Sequence, residues 1–265
     1  METWRLVMDG PGDGAWNMAV DEALLHLAER GNRPPVLRFY SWARPTLTIG
    51  RLQKTGGSLN LDYLAARGIP IVRRPTGGRA LLHCREVTYS AIIPSASPAF
   101  GPMRHVYSIM AGAIGQALTD IGVAPDPLGE GAGQDYAASS FCLATRTGFE
   151  ISAGGRKVAA CAQRRLKNSI LQHGSIILAA DAGAHLGCFV WKDAKRRDEA
   201  ARALAGLEEM APGVTSAKVI DSMIAALGGI SSIRFEASPL DAGERASARE
   251  IVERMRGEAR VGVES

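Results

Sequence analysis

The hydrophobic pattern changes period repeatedly along the chain. Residues 3–8 read as a strand, and residues 35–42 and 45–50 as two more around a proline turn. Between them, residues 18–30 carry a helical pattern, with Asn17 as the expected N-cap and Gly31 as the stop. A short helix is predicted over 59–67, with Asn60 and Asp62 near its start, followed by a strand at 69–73. Residues 86–93 alternate as a strand does, and residues 103–121 form a helix ended by Gly122.

The second half begins with residues 125–140, polar and rich in Gly and Ala without a period, which predicts a long loop. Residues 148–152 and 156–163 predict a hairpin across Gly154 and Gly155, and 169–178 a further strand. Helices are then expected at 181–189, 194–210 and 216–227. In the last of these Val219, Ile220, Met223, Ile224 and Leu227 share a face. A short strand at 233–236 precedes a final helix to about residue 256, with Ser238 as its cap and Pro239 at its first turn. Strands and helices mix without a βαβ rhythm. The expectation is a single α+β domain over 1–265, with a mixed, largely antiparallel sheet flanked by helices.

Composition narrows the function classes. The chain has 265 residues, 46% hydrophobic and 22% charged, ordinary for a globular enzyme or binding domain. No apolar run is long enough to span a bilayer, and the N-terminus lacks a basic start followed by an apolar block, so the expectation is a cytoplasmic protein without a membrane partner. Cys84, Cys142, Cys161 and Cys188 show no CxxC or zinc spacing and are expected to be free thiols, with no metal. Net charge is +4, but residues 51–85 hold seven Lys/Arg against Asp62 alone, and 156–167 hold five without an acid. Such clusters favour an anionic partner: nucleic acid, a phosphate-bearing carrier or an acidic protein. P-loop and Rossmann glycine motifs are missing from the sequence.

Three stretches carry candidate chemistry. In RRPTGGRALLHCREVTYS, residues 73–90, Arg73 and Arg74 bring planar donors, and Gly77 and Gly78 permit close backbone approach to a ligand. The same residues also suit a hairpin turn with solvated arginines. In GRKVAACAQ, Lys157 is either a solvated edge-strand lysine or an ammonium aimed into a pocket; this stretch leads on to Leu171-Gln172-His173-Gly174-Ser175. Cys142, at the end of the long loop, is either a buried structural thiol or a nucleophile whose thiolate a nearby ammonium would favour.

Together, RRPTGGRALLH, GRKVAACAQRR and LQHGSIIL resemble the biotin/lipoate protein ligase catalytic-domain family, and within it the octanoyltransferases that begin lipoate synthesis. The likeness spans roughly residues 38–178, leaving a helical C-terminal part at 181–256. It implies that Cys142 becomes an acyl-thioester and that Lys157 contacts the acyl carbonyl and lowers the thiol pKa. Arg74, Gly77, Gly78 and His83 are then the acyl-pocket wall, with Gln172, His173 and Gly174 on the opposite strand and Arg79 a further substrate-binding residue. Arg79 stands where the ligases carry a third glycine, Cys84 where they carry aspartate, and Ala160-Cys161 where the family usually reads Gly-Ser.

The implied reaction moves octanoyl from octanoyl-acyl carrier protein, through Cys142, to a lysine of a lipoyl domain or glycine cleavage H protein. Neither ATP nor a metal is required, and the partners exclude nucleic acid. Arg73, Arg74, Arg79, Arg164 and Arg165 are expected to dock an acidic carrier or lipoyl domain. Leu81, Ile92 and Ile151 are expected to floor the acyl slot. His83 is either a proton acceptor for the incoming amine or a structural turn residue. A monomer is the default. The rival readings are an ATP-dependent lipoate–protein ligase, an octanoyl amidotransferase between lipoyl domains, and a noncatalytic acyl- or carrier-binding module.

Overall fold

In a computed structural model the described residues are 1–31, 33–54, 57–127 and 151–261. Eight helices and ten strands alternate irregularly among them. The first half comprises β1 (Glu2–Gly12), α1 (Gly14–Glu29), β2 (Val36–Trp42), β3 (Thr46–Ile49), α2 (Leu61–Ala66), β4 (Ile71–Arg73), β5 (Leu81–His83), β6 (Glu86–Pro94) and α3 (Met103–Asp120). The second comprises β7 (Ile151–Ala153), β8 (Arg156–Arg165), β9 (Ser169–Ile177), α4 (Ala182–Gly187), α5 (Ala194–Ala203), α6 (Leu207–Met210), α7 (Ser216–Ser231), β10 (Ile233–Ala237) and α8 (Ala242–Val261).

Seven strands form one sheet in the order β10-β1-β2-β6-β9-β8-β7. Its β10–β1 and β1–β2 pairs are parallel, and the rest are antiparallel. A small sheet, β4-β3-β5, packs beside it. The expected mixed, largely antiparallel α+β architecture is thus present.

The two faces of the large sheet differ. One carries Leu37, Phe39, Val87, Tyr89, Ala91, Ile93 and Ile176 into an apolar core under α3 and α7. The other meets α1 and α8 through Ile92 and Leu171, and meets the small sheet, α4 and α5 through Ala160 and Ile177. Between these two apolar contacts the second face is polar: Glu86, Thr88, Ser90, His173 and Ser175 are all buried there. The alternation of 86–93 is real, but its polar side faces an interior cleft and not solvent, so all nine residues of β6 are buried.

Several expected boundaries move. Asp13, not Asn17, caps α1, its carboxylate accepting from the Ala15 N–H at 3.0 Å. Asn17 is fully buried and donates to the Ser41 carbonyl at 2.9 Å. Asp241, not Ser238, starts α8, where Asp241 and Glu244 exchange side chain-to-backbone hydrogen bonds of 2.7 and 2.8 Å. The helix expected over 194–210 is broken at 204–206, where Leu204 forms a parallel bridge to Lys157 and Gly206 packs on the 178–180 backbone. Gly154 and Gly155 take φ of +58° and +73°, the left-handed pair that a two-residue hairpin turn needs.

Candidate active site

A half-open cleft lies on the polar face of the large sheet, with about 380 Å³ of empty space counted together with the solvent at its mouth. Met18 of α1, Thr48 of β3, Arg74, and Leu81 and His83 of β5 wall one side; Tyr40, Thr88, Ala160, Ala162, His173, Gly174 and Ser175 wall the other. Arg74, His83, His173 and Gly174 of the expected site residues therefore meet in one place.

Each residue reaches the cavity for a local reason. Arg74 is buried, and its guanidinium collects carbonyls: Nε and Nη2 donate to the Gly77 carbonyl at 3.0 and 2.7 Å, and Nη2 to that of Arg79 at 2.8 Å. This draws the loop's oxygens inward and leaves the Gly77 and Gly78 amides without an acceptor among the described residues. Gly78 has φ +93°, and a Cβ there would stand 2.6 Å from Arg74 Nη2, so only glycine fits. Arg73 is exposed but clamps the neighbouring turn, donating to the carbonyls of Gly50, Arg51 and Gln53. Arg74 is thus a loop-shaping residue and not a docking residue. Arg165 lies over the Phe100 ring at 4.4 Å, and Arg164 is held beside Glu22 at 3.7 Å, so these charges too are partly committed within the fold.

Two carboxylate–imidazole–hydroxyl chains flank the cavity. In the first, Glu86 Oε1 accepts from His83 Nδ1 at 2.6 Å, and His83 Nε2 meets the Thr48 hydroxyl at 2.8 Å. The ring stacks on Trp42 at 4.1 Å. Burial alone would raise the Glu86 carboxyl. The charge of His83, its hydrogen bond, and those from Thr88 and Ser175 outweigh burial and hold it below the ordinary value. In the second chain, Asp21 Oδ2 meets His173 Nδ1 at 2.9 Å, and His173 Nε2 meets Thr76 Oγ1 at 2.7 Å. Burial pushes the His173 imidazole below its usual value, more than Asp21 lifts it, and so favours the neutral ring. Burial would also raise Asp21, but the hydrogen bond from His173, the charges of Arg38 and His173, and the Ser90 hydroxyl keep it low. Arg38 is the always-charged partner of Asp21, at 2.9 Å.

Lys157 reaches this face through a bulge. β7 alternates Ile151, Ser152, Ala153, and these pair with Ala159, Lys157 and Arg156. Val158 is the extra residue, and Val158 and Ala159 both join the core under α3. Strict alternation would have put Lys157 on the face of Ala159 and Cys161. The extra residue returns it to the face of Ala160 and Ala162, which line the cavity. Lys157 is only 5% exposed and stands beyond Ala160 at the end of that wall, outside the described lining.

Other expectations separate. Gln172 points to the α3 face, where its Nε2 donates to the Tyr89 hydroxyl at 3.2 Å, so it is not a cavity side chain. Gly77, Gly78 and Arg79 shape the loop without lining the cavity. Of the expected slot residues only Leu81 lines it; Ile92 packs under α1 and α8, and Ile151 under α3. Cys142 and most of the long loop lie outside the described residues. Burial foremost raises the Cys84 thiol, and pushes Cys188 up to about 12, so neither is primed as a thiolate. Asp21, Arg38, Thr48, Thr76 and Glu86 were missed. Their signal was a charge inside an apolar pattern: Asp21 amid Met18, Ala19, Val20, Ala23 and Leu24, and Arg38 between Leu37 and Phe39.

A profile of the family described as Lipoyl protein ligase A/B catalytic domain matches residues 13–228. The chain belongs to the lipoyl protein ligase A/B catalytic-domain family. Octanoyltransferase LipM of Kyrpidia tusciae is 36% identical over 95% of this chain and 96% of its own length. The LipM of Moorella thermoacetica is 35% identical over 94% of each. A lipoate-protein ligase A bound with ATP has a TM-score of 0.79 at 24% identity, covering 96% of this chain and 95% of that one. A putative lipoate protein ligase of T. acidophilum with bound lipoic acid gives 0.79 at 22%, with the same coverage. These structures share the family's fold.

Proposed function

We propose that this chain transfers an octanoyl group from octanoyl-acyl carrier protein to a lysine of a lipoyl domain or glycine cleavage H protein, by way of a Cys142 thioester. The chain is an acyltransferase, and octanoyl transfer is the activity in the names of relatives that match nearly its whole length. The observation that supports the finer reading is the bulge at Val158, which sets the Lys157 side chain on the sheet face that carries the cavity.

The chemistry follows from the groups in place. Attack of the Cys142 thiolate on the donor carbonyl forms a new thioester and releases the carrier thiol. Lys157 favours the thiolate beforehand and the oxyanion afterwards. The Gly77 and Gly78 amides are the backbone donors nearest in character to an oxyanion cradle. The acceptor amine, neutral at that instant, then attacks, and the cysteine leaves. One thioester is exchanged for another and then for an amide, so neither ATP nor a metal enters. His83 is held between Glu86 and Thr48, which suits an orienting role better than proton abstraction from the amine.

The test uses purified chain, octanoyl-carrier and a lipoyl domain without nucleotide. Octanoylated lipoyl domain is the expected product. Product formed only from free octanoate and ATP would replace this reading with a ligase, and product only from an octanoylated lipoyl domain with an amidotransferase.

A further inference from the structure

The Asp21 carboxylate is fully buried and receives four donors. Arg38 Nη1 and the Ser90 hydroxyl reach Oδ1 at 2.9 and 2.8 Å; the Tyr40 hydroxyl and His173 Nδ1 reach Oδ2 at 3.0 and 2.9 Å. Arg38, itself fully buried, also donates to Asp9 at 2.7 Å and to the Asn17 carbonyl at 3.2 Å. An ionised carboxylate only accepts. His173 must therefore carry its proton on Nδ1.

That assignment fixes the far side of the ring. A neutral imidazole with Nδ1–H presents Nε2 as an acceptor. Its neighbour, at 2.7 Å, is the Thr76 hydroxyl, which must then donate. Thr76 is fully buried and directly precedes Gly77. Its carbonyl accepts from the Arg51 N–H at 2.8 Å, so both ends of the residue are tied. Arg74 holds the other flank of the same loop through the Gly77 and Arg79 carbonyls.

We infer that Asp21 is a positioning residue: through the His173 tautomer it makes Thr76 a donor and so pins the loop of Gly77 and Gly78, whose amides the octanoyl-transfer reading uses as oxyanion donors. The chain runs from α1, through β9, to the β4–β5 loop, joining three elements far apart in sequence. No group in it touches the reacting carbon. In Asp21→Asn, an amide N–H faces Nδ1, the ring proton moves to Nε2, and Thr76 becomes an acceptor. The pin then has the wrong polarity while the space stays filled. Small misplacements of loop donors cost rate more than binding.

The kinetic arm rests on the octanoyl-transfer reading, but the spectroscopic arm needs no substrate. Histidine ¹⁵N spectra of the full chain are expected to show His173 as the Nδ1–H tautomer, inverted in Asp21→Asn. In Thr76→Val the Gly77 and Gly78 amide signals should shift. The kcat for octanoyl transfer should fall about tenfold or more with little change in donor KM, and Thr76→Ser should restore both. Combining Asp21→Asn with Thr76→Val should cost no more than the worse single change. An Nε2–H tautomer in the unaltered protein, unmoved glycine signals in Thr76→Val, or losses that multiply in the double variant would overturn the inference. Should the unaltered chain transfer no octanoyl, the tautomer and amide shifts still decide it.

Discussion

At the scale of residues, the interior of this molecule is unusual in how many ionisable groups it hides. Asp21, Arg38, Arg74, Glu86, Lys157 and the histidines His83, His173 and His185 are all buried. Each described carboxylate among them is kept ionised by donors, so stability depends on pH in a definable way. Asp21 and Glu86 sit below their ordinary values of 3.8 and 4.5. Their contribution is complete above those values and is lost as pH falls through the lower, folded ones. Urea unfolding from about pH 7 to about pH 3 should therefore show stability falling on the acid side. Glu86→Gln should flatten that fall and cost about 1–3 kcal/mol at neutral pH, because four donors now aimed at a carboxylate oxygen meet a neutral, weaker acceptor. Equal acid slopes in the two proteins would refute this role for Glu86. For activity, Lys157→Gln should cut octanoyl transfer about 100-fold or more. A loss below about threefold would mean that the ammonium does not meet the developing charge.

At the scale of elements, periodicity and turn chemistry located most strands and helices, because burial on one face forces a period. It failed where a residue answered to something outside its own element. Asn17 has the chemistry of a cap, yet its amide is used by the Ser41 carbonyl, and Asp13 takes the helix end. The run 194–210 is mostly good helix formers, but Gly206 must lie against the 178–180 backbone, and the helix breaks. A Cβ on Gly206 would meet the Ala179 Cα and the Leu178 oxygen at 2.7 Å. Gly206→Ala should therefore cost about 1–3 kcal/mol in chemical denaturation, and a change under about 0.5 kcal/mol would show that the close approach is not needed. The Val158 bulge was beyond reach: strict alternation along 156–163 counts Lys157 onto the α3 face, and only the pairing with β7 corrects the count. The cavity side chains at Arg74, His83 and His173 were legible from their motifs. Their acidic partners were not, because Asp21 and Glu86 come from other elements or look like strand-edge charges in a linear reading.

At the scale of the whole molecule, the two ends of the chain lock each other. Arg5 on β1 makes a bidentate pair with Glu244 on α8, at 2.5 and 3.1 Å, and also reaches the Pro239 carbonyl at 3.0 Å. The Glu244 side chain is 2% exposed, and removing Arg5 leaves its carboxylate with Arg33 at 3.6 Å and the Asp241 N–H. Arg5→Ala should lower stability by about 1–3 kcal/mol in urea unfolding, and a loss under about 0.5 kcal/mol would show that α8 is held without this pair. This closure places α1, and with it Asp21, against the cavity, so the C-terminal helix serves the site from a distance. The basic clusters expected to dock a partner are thinner than the sequence count implies, since Arg74 is internal and Arg73, Arg164 and Arg165 are partly engaged.

The central claim is a covalent acyl-enzyme on Cys142, and intact-protein mass spectrometry after brief mixing with octanoyl-carrier tests it most directly. The account predicts a gain of one octanoyl group, absent in Cys142→Ser and discharged when a lipoyl domain is added. Transfer to the lipoyl domain by Cys142→Ser at the unaltered rate, with no adduct ever seen on the protein, would contradict it.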